Sequence, residues 1–590
     1  MLLLVLMCAL AVTHAQNLQV NTTQGFVEGQ KAVGGDYHAF YGIPYAGVAN
    51  GDNRFKAPTP PTPFPGLFHA IDSNIICAQP SEKGIIGVEN CLTLSIFTNN
   101  VTTPKPVLVW LNAEEYTTTS TTLLSFRRFV EEGLVVVSMN FRLSIFGFLC
   151  LGVPEAPGNA GIKDVIQGLR WVKANIGGFG GNPNNVVLMG HGSAAAIVDL
   201  ITMTPKAENL VHKAVALSGS ALAPWAIAYD PVGYAEVLGE KLSYTRKSRP
   251  ELAKLLASTD ISVLGNALNG FNFYNNTPLF APCIENNSLN DTVLIDVPVN
   301  LLRAGNYSHI PYIAGYVTRE GTLRAEEAVF DGWLEKMQAN FSNFLQVDLD
   351  FGGNVTSKAE TISNFYFSGS NIDIGTIDDY LAYQGDTMVL VSVIRGARER
   401  AATSRSEVRL LEFGFMGTQN SDWTLTQVPL YGVKHGGMLN YLFDFDLKPA
   451  DEAVMRSIVK RFSNFATSGA EQVPSAAGIC LQKLNMLVYL YKLILLLNFY
   501  RNPTQPNSTE AWNPITSQNL FYMYYGGSIS PLETPLATET VKFDPHTIRM
   551  ILWNQLYAEN YKAPNPVSSA SRLVNMLCIV VFSAIFVNML

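Results

Sequence analysis

The sequence has little charge. Only 15% of its 590 residues are Asp, Glu, Lys or Arg, whereas 48% are hydrophobic. This composition is too apolar for a disordered chain and is typical of a folded protein with a large buried core. The net charge is −8, and no run of lysines or arginines is present, so the basic surface that nucleic-acid binding requires is missing. We therefore expect a folded protein that does not bind nucleic acid.

Local metal-binding patterns are also lacking. The seven cysteines include no C-x-x-C pair, and no Cys/His cluster has metal-ligand spacing, so we expect neither a metal nor another cofactor. Cys77 and Cys91 enclose a short loop and are the best candidate for a disulfide in an oxidising compartment. Cys150, within the apolar stretch FGFLC, is expected to be a buried free thiol. The partners of Cys283 and Cys480 stay open.

Both ends of the chain are apolar. Residues 1–15, MLLLVLMCALAVTHA, end in small residues and are predicted to be a secretion signal. The last eighteen residues, LVNMLCIVVFSAIFVNML, follow Arg572 and belong to a predicted C-terminal membrane-anchor signal, residues 566–590. Small residues just upstream favour GPI attachment, and the alternative is a plain transmembrane anchor. Either anchor predicts transport through the secretory pathway to the extracellular face of the plasma membrane.

Sequons for N-glycosylation are abundant. The pattern N-x-S/T occurs at nine asparagines: Asn21, Asn100, Asn275, Asn286, Asn290, Asn306, Asn340, Asn354 and Asn507. Asparagine in this pattern is glycosylated on the surface of secreted proteins. Nine sequons together therefore predict an extracellular glycoprotein.

Apolar runs alternate with helical stretches through the middle of the chain. Residues 106–111, 134–141 and 186–190 are almost wholly apolar, and residues 161–176 have the pattern of a helix. Strands that are apolar throughout belong in a parallel sheet covered on both faces, with helices as the crossovers. Because no repeat or long linker divides the chain, we predict one α/β domain over residues 16–565. Its core is a large, mostly parallel, doubly wound sheet with helices on both faces.

One segment departs from this pattern. Residues 476–500, AAGICLQKLNMLVYLYKLILLLNFY, are much more apolar than the sequence on either side. A membrane span is one alternative, but Lys492 would cost several kcal/mol at the depth of the bilayer. An insertion foreign to the domain is favoured, and untranslated sequence retained in a gene model is a further alternative.

Eight motifs between residue 20 and about 560 are distinctive. They are FYGIPYA (40–46), ENCLTLSIF (89–97), NFRLSIFGFL (140–149), PGNAGIKDVIQGLRWVKANIGGFGGNPNNVVLMG (157–190), ALSGSALAPW (216–225), REG (319–321), GVKHGGMLNYLF (432–443) and VKFDPHTIRMILWNQL (541–556). In this order they resemble the type-B carboxylesterase and cholinesterase family. The resemblance implies an α/β-hydrolase fold. It also implies a disulfide between Cys77 and Cys91 and an ion pair between Glu89 and Arg142.

The resemblance implies a catalytic triad with one member missing. Active relatives use a serine on a sharp strand-to-helix turn, a histidine base and an acid that orients the histidine. Here Glu320 stands at the acid position and His435 at the base position. The stretch VVLMGHGSAAAIV, residues 186–198, puts Gly192 at the nucleophile position. Because glycine carries no oxygen, we predict that the serine nucleophile is absent.

Ser193 is the remaining substitute for the nucleophile. Successive residues of a helix rotate by about 100°, so a serine one place further along points away from the histidine. A serine that caps or packs is the simpler interpretation, and the resemblance implies that residue 193 supplies a backbone N–H to the oxyanion hole. His191 is weaker still as a nucleophile, because histidine is ordinary at that position in active relatives.

The oxyanion-hole turn is altered as well. Active relatives carry a glycine-rich turn after the strand equivalent to residues 106–111, because bare backbone N–H groups must approach the developing charge. Here the turn reads NAEEY, with Glu114 and Glu115 in place of the donor glycines. We expect both carboxylates to point outward and the glycine geometry to be lost.

These losses predict a protein without serine-esterase activity. Removing a triad nucleophile lowers the rate on the order of 10⁶-fold, and removing one oxyanion donor lowers it roughly 10²–10³-fold. The resemblance then favours the noncatalytic relatives, such as neuroligins, neurotactin, gliotactin and glutactin, which serve cell adhesion. It implies an extracellular protein partner and a homodimer formed through C-terminal helices. The alternatives are a residual ester hydrolase that uses Ser193 or a water held by His435, and a carrier of hydrophobic ester ligands.

Overall fold

The computed structural model describes most of the chain. The described residues are 18–567 without residues 33, 82–83, 120–123, 245–247, 269–270, 272–273, 290, 421–423, 426–427, 444–446, 448, 470–511 and 528–537. The predicted signal, the apolar segment 476–500, residues 568–590 of the predicted anchor signal, Cys480, Asn290 and Asn507 lie outside them. Among the described residues, no helix combines the length and the hydropathy that crossing a bilayer requires.

Eighteen β-strands lie in the described part of the chain. They are β1 Gln19–Thr22, β2 Gly25–Glu28, β3 Gln30–Lys31, β4 His38–Pro44, β5 Phe68–His69, β6 Gln79–Ser81, β7 Gly84–Ile86, β8 Thr93–Thr98, β9 Lys105–Ala113, β10 Val135–Met139, β11 Gly181–Gly192, β12 Lys213–Leu217, β13 Tyr312–Val317, β14 Val408–Phe413, β15 Thr424–Leu425, β16 Val428–Pro429, β17 Phe521–Gly526 and β18 Thr538–Phe543. Eleven of these strands form one large sheet in the order β18-β17-β14-β13-β12-β11-β9-β10-β8-β4-β3.

The centre of the large sheet is parallel. From β17 to β10 each neighbouring pair runs in the same direction, whereas strands at both edges pair antiparallel. Every residue of β12 is buried. Such fully apolar strands need a cover of helices on both faces of the sheet. The sheet confirms the predicted fold class, an α/β-hydrolase fold built on a large, mostly parallel sheet.

Sixteen α-helices surround the sheet within the described residues. They are α1 Arg127–Glu131, α2 Ser144–Phe148, α3 Ala160–Asn175, α4 Ser193–Met203, α5 Pro231–Lys241, α6 Arg249–Ser258, α7 Ile261–Leu268, α8 Pro298–Ala304, α9 Ala325–Phe330, α10 Trp333–Ala339, α11 Val355–Phe367, α12 Ile377–Gly385, α13 Val391–Thr403, α14 Leu439–Leu442, α15 Pro449–Ser468 and α16 Thr547–Asn560. The predicted helix over residues 161–176 corresponds to α3. A π-helical segment, Asp386–Leu390, joins α12 to α13.

The sheet separates two hydrophobic cores. Along β9, Val107, Val109 and Leu111 pack into one core, whereas Leu108 and Trp110 pack into the other. Successive side chains of a strand point to opposite faces, so a wholly apolar strand supplies both cores at once. Because both faces of β9 are buried, its register in the sheet is fixed, and so is the position of the turn that follows it.

Two disulfides lie within the described residues. Cys77 is bonded to Cys91, as the sequence and the resemblance predicted. Cys150 is bonded to Cys283, with the two Cα atoms 6.6 Å apart, so the prediction of a free thiol at Cys150 is wrong. The side chain of Asn159 exchanges two hydrogen bonds of 2.9 Å with the backbone of Cys283 and holds that loop beside Cys150. This contact between distant segments leaves no trace in the local sequence.

The implied ion pair between Glu89 and Arg142 is also wrong. Glu89 accepts a hydrogen bond from Nε of Arg54 at 2.7 Å, whereas Arg142 pairs with Asp164 of α3 at 2.5 Å. The guanidinium of Arg142 additionally donates to the backbone carbonyl of Arg54 at 2.9 Å. Two adjacent pairs with different partners therefore replace the single implied pair.

Candidate active site

A sharp turn joins β11 to α4, and Gly192 is its apex. Gly192 has φ 60° and ψ −127°, a conformation that residues with side chains rarely adopt. A Cβ at Gly219 would lie 2.1 Å from the carbonyl oxygen of Gly192, so a glycine at position 219 lets the neighbouring loop approach the turn. A strained strand-to-helix turn of this kind is a nucleophile elbow. The elbow is present, and its apex carries no side chain.

Glu114 occupies the space above the elbow. A Cβ built on Gly192 would lie 2.5 Å from Oε1 and 2.6 Å from Oε2 of Glu114. In the sheet, Ala113 at the end of β9 lies opposite Gly192 at the end of β11, so the next residue of the first strand is brought over the apex. The prediction that Glu114 points outward is therefore wrong, although 34% of its side chain remains exposed.

His435 lies between two carboxylates. Its Nδ1 is 2.5 Å from Oε2 of Glu320, and its Nε2 is 3.3 Å from Oε2 of Glu114. The same Glu114 oxygen is 3.6 Å from Nδ1 of His191. The rings of His191 and His435 lie side by side, with their centroids 4.6 Å apart. The structure thus brings together Gly192, Glu320 and His435, and Glu114 stands where the hydroxyl of a nucleophile would meet the imidazole.

Two loops hold the acid and the histidine in place. Glu320 begins the 3₁₀ turn Glu320–Arg324, separated from the end of β13 by two residues, and accepts a hydrogen bond from the backbone N–H of Val317 at 2.8 Å. The loop that carries His435 runs beside this turn through a β-bridge between Arg319 and Lys434. The backbone N–H of His435 donates to the hydroxyl of Thr322 at 2.8 Å.

The opposite charges of His435 and its neighbouring carboxylates stabilise one another. Burial acts to lower the pKa of His435, but the negative charges of Glu114 and Glu320 outweigh it and raise the pKa to about 10. Burial acts to raise the pKa of Glu114, but His435 and His191 hold it well below its usual range. An imidazolium has no lone pair with which to accept a proton. In this state His435 is not a general base.

Ser193 is engaged elsewhere. Its Oγ accepts a hydrogen bond of 2.8 Å from the backbone N–H of Tyr116, and the residue is only 1% exposed. Within the described residues, Nε2 of His435 hydrogen-bonds to Glu114. The structure therefore places the Ser193 hydroxyl against the oxyanion-hole turn at Tyr116, and not beside the imidazole of His435.

The oxyanion-hole turn keeps a glycine-like backbone. Glu115 has φ 50° and Tyr116 has φ 58°, both in the left-handed region that favours glycine. The prediction that the glycine geometry is lost is therefore wrong for the backbone at Glu115, whereas Glu114 has no positive φ. The side chain of Glu115, which is 43% exposed, forms an ion pair with Arg324. That cation explains how a glutamate is retained on a strained turn beside the site.

The cavity beside the elbow is small and largely apolar. Its lining includes Tyr116, Ser193, Trp225, Met388 and His435, and its volume is about 20 Å³. That volume holds about one or two water molecules. The indole of Trp225 donates to the backbone carbonyl of Met388 at 2.7 Å, which fixes the apolar wall. An ester ligand would enter only if the wall moved.

The parts played by Glu114 and His191 are not evident from the local sequence. Nothing in the residues around His191 indicates that its ring faces a carboxylate. The register of β9 against β11 was the available signal, because parallel neighbours bring the residues that follow each strand to the same edge of the sheet. Aligning Ala113 with Gly192 would have placed Glu114 over the elbow.

Proteins similar in sequence to this chain include esterases and a lipase. Venom carboxylesterase-6 of Apis mellifera is 26% identical over 464 residues, which span 75% of this chain and 83% of that protein. Bile salt-activated lipase of Mus musculus is 27% identical over 511 residues, which span 79% of this chain and 82% of that protein. Juvenile hormone esterase of Tribolium castaneum is 25% identical over 470 residues, or 73% of this chain and 80% of that protein.

A solved structure and a family model each match most of this chain. The crystal structure of juvenile hormone esterase from Manduca sexta, with OTFP covalently attached, superposes with a TM-score of 0.75. The superposition covers 92% of this chain and all of that chain at 22% identity, so it shows a shared fold. The family model described as "Carboxylesterase family" matches residues 16–543, and this chain belongs to the carboxylesterase family.

Proposed function

We propose that this protein is a noncatalytic carboxylesterase-family member that serves recognition, as a glycoprotein on the extracellular face of the plasma membrane. The proposed role is adhesion or the binding of an extracellular protein partner. The observation that carries the proposal is the carboxylate of Glu114, which lies within 2.6 Å of where a Cβ at Gly192 would stand. The nucleophile is missing, and its space is filled by a group that repels developing negative charge.

The proposal departs from the names of the relatives, which are esterases and a lipase. Ester hydrolysis by the serine mechanism needs an oxygen at the elbow and free N–H donors for the oxyanion. Gly192 supplies no oxygen, and the backbone N–H of Glu114, at a donor-glycine position, is already hydrogen-bonded to the carbonyl of Thr118 at 2.7 Å. The negative charge of Glu114 adds to both defects, because the tetrahedral intermediate is itself an anion. Family membership is therefore weaker evidence for hydrolysis than these contacts are against it.

The two alternative functions gain less support. A hydrolase that uses Ser193 would need its hydroxyl beside His435, but that hydroxyl faces the turn at Tyr116. A carrier of hydrophobic esters would need a roomy pocket, but the cavity of about 20 Å³ beside the elbow is too small for such a ligand. Recognition through the outer surface requires neither feature.

The surface agrees with a secreted glycoprotein. Among the seven sequon asparagines that the structure describes, none is buried, and five are exposed: Asn21, Asn100, Asn306, Asn340 and Asn354. The two disulfides, Cys77–Cys91 and Cys150–Cys283, suit an oxidising compartment. These features support passage through the secretory pathway, which an adhesion role requires.

Two measurements test the proposal. The ectodomain, secreted from cells and purified, should neither turn over a short-chain aryl ester nor be labelled by an organophosphate probe. Turnover or labelling would overturn the noncatalytic assignment. Cells that display the full chain should aggregate with one another or with cells from the source tissue, whereas cells carrying an empty vector should not. The absence of both kinds of aggregation would overturn the adhesion role.

A further inference from the structure

Three side chains of the metal-binding type converge above Gly192. They are Glu114, His191 and His435, named here the Glu–His–His cluster, and their ligand atoms all lie within 4.8 Å of one another. Each comes from a different segment: Glu114 from the turn after β9, His191 from β11 and His435 from a loop. Because they are far apart in the chain, the local spacing patterns on which the sequence prediction of no metal site rested do not detect them.

The two distances from Glu114 to the imidazoles fit a shared metal ion better than short charge-assisted hydrogen bonds. Oε2 of Glu114 is 3.3 Å from Nε2 of His435 and 3.6 Å from Nδ1 of His191. Charge-assisted N–H···O bonds are shorter, about 2.7–2.9 Å. A tetrahedral zinc ion with bonds of about 2.0–2.2 Å separates its ligand atoms by about 3.3–3.5 Å. We propose that the Glu–His–His cluster binds Zn²⁺, with water as the fourth ligand.

The donor set favours zinc over Ca²⁺ and Mg²⁺. Two imidazole nitrogens and one carboxylate oxygen suit zinc, whereas Ca²⁺ and Mg²⁺ prefer shells made wholly of oxygen. Glu114 as a ligand and Glu320 behind His435 together bring two negative charges to a divalent cation. Zinc ligands are deprotonated, so the metal displaces the proton from Nε2 of His435.

Glu320 supplies the second layer of the site. It lies 2.5 Å from Nδ1 of His435, which places the proton on that nitrogen and turns the lone pair of Nε2 toward the cluster. A carboxylate behind a ligating histidine is the common arrangement in zinc sites, where it fixes the orientation of the ring. For His191 the buried Nε2 has no hydrogen-bond partner within the described residues, so no contact there opposes ligation through Nδ1.

The glycine at the elbow makes room for the site. A Cβ at position 192 would lie 2.5 Å from Oε1 of Glu114, so any side chain there would push the carboxylate away from the two imidazoles. The adjoining cavity, lined by Glu114, Ser193 and His435, has a volume of about 20 Å³. That space accommodates the single water that completes a tetrahedral shell.

Calorimetric titration with zinc chloride tests the inference. The secreted ectodomain, stripped of metal with a chelator, should bind one equivalent of Zn²⁺. The variants Glu114→Gln and His435→Gln should lose at least about 100-fold in affinity, and Glu320→Gln should lose about 10–100-fold. His69→Gln is the control, because His69 forms an exposed pair with Glu28 outside the site. This control should bind zinc as the wild type does.

A second readout does not depend on any variant folding. Co²⁺ titrated into the wild-type ectodomain should give the intense visible absorption of a tetrahedral site, and Zn²⁺ should abolish it. Wild-type protein that binds no stoichiometric zinc, or variants of the cluster that keep wild-type affinity, would overturn the inference. Zinc binding without ester turnover leaves the proposed function intact, whereas zinc-dependent turnover would overturn that function and support the metal site.

Discussion

The carboxylate of Glu114 lies 3.3 Å from Nε2 of His435, on the side of the imidazole that a serine hydroxyl takes in a working triad. The acid side of the triad, Glu320 on Nδ1, is intact at 2.5 Å. The histidine is thus oriented as in an esterase and faces a carboxylate instead of a nucleophile. This relationship makes two residues, 114 and 192, responsible for the state of the site.

Restoring the serine alone should not restore activity. We expect Gly192→Ser to be inactive, because its Cβ would meet Glu114 at 2.5–2.6 Å, and to lose about 1–3 kcal/mol of stability from the strained φ. Combined with Glu114→Gly, it should give measurable turnover of an aryl ester and labelling by an organophosphate. The incomplete oxyanion hole should hold the gain to at most about 10³-fold, short of the roughly 10⁶-fold that a nucleophile contributes in an intact triad.

The double variant Gly192→Ala with Glu114→Gly is the matched control for that experiment. It carries the same Cβ and the same vacated carboxylate position but no hydroxyl, so it should show neither turnover nor label. Equal activity in the alanine and serine double variants would assign any turnover to a group other than residue 192.

Ser193 should matter for stability and not for chemistry. Ser193→Ala leaves the buried N–H of Tyr116 without its 2.8 Å partner, which should lower the free energy of unfolding by about 1–3 kcal/mol. Ser218→Ala is the matched control, since its buried Oγ has no partner among the described residues and lines the same cavity. Urea denaturation measures both. If an organophosphate probe labelled the wild type and the label were lost in Ser193→Ala, the result would contradict this assignment and favour a relocated nucleophile.

Asp348 should make the protein less stable as the pH rises. Burial raises the pKa of this carboxyl from 3.8 to about 7, although Tyr557 and Arg395 act in the opposite direction. The contribution of this carboxyl to the free energy of unfolding is complete below its pKa in the unfolded chain. It is lost as the pH rises from that value through about 7, the pKa in the folded protein. The total loss is roughly 4 kcal/mol, at about 1.4 kcal/mol per pH unit.

Asp348→Asn should remove that decline and make the protein more stable at alkaline pH. Asp350→Asn, which changes an exposed carboxylate two residues away, should leave the decline in place. Denaturation across the range from about pH 4 to pH 8 compares the three proteins. A wild-type stability that does not fall with pH would contradict a buried neutral carboxyl.

The disulfide between Cys150 and Cys283 should be found in secreted protein. Peptide mapping without reduction should recover the two cysteines in one linked fragment. Cys150→Ala with Cys283→Ala should lower the free energy of unfolding by about 2–5 kcal/mol. A free thiol at Cys150 in the folded protein would contradict the bond and return this residue to the prediction from sequence.

The fold was predictable because it follows from local pattern. Fully apolar runs such as residues 106–111 have no stable place except inside a covered parallel sheet, and the motif around residues 186–198 fixes a strand followed by a helix. The positions of Glu320 and His435 followed from the resemblance. These features depend on neighbours in sequence or on motifs in order.

The remaining features depend on contacts between distant segments. Glu114 points inward because Ala113 pairs with Gly192 in the sheet and because two imidazoles attract its carboxylate. The partner of Cys150 and the separate partners of Glu89 and Arg142 likewise come from loops brought together by the fold. The composition of the chain and the spacing of its residues carry no information about these long-range contacts.

The close approach of Glu114 to the apex glycine has a consequence for the history of the chain. A mutation that returned serine to position 192 would meet the carboxylate, and a mutation that removed the carboxylate first would leave an elbow with nothing to activate. Neither single change supplies a hydroxyl with free access to the imidazole, so selection for ester hydrolysis favours neither first step. A serine esterase is therefore at least two substitutions away from this sequence.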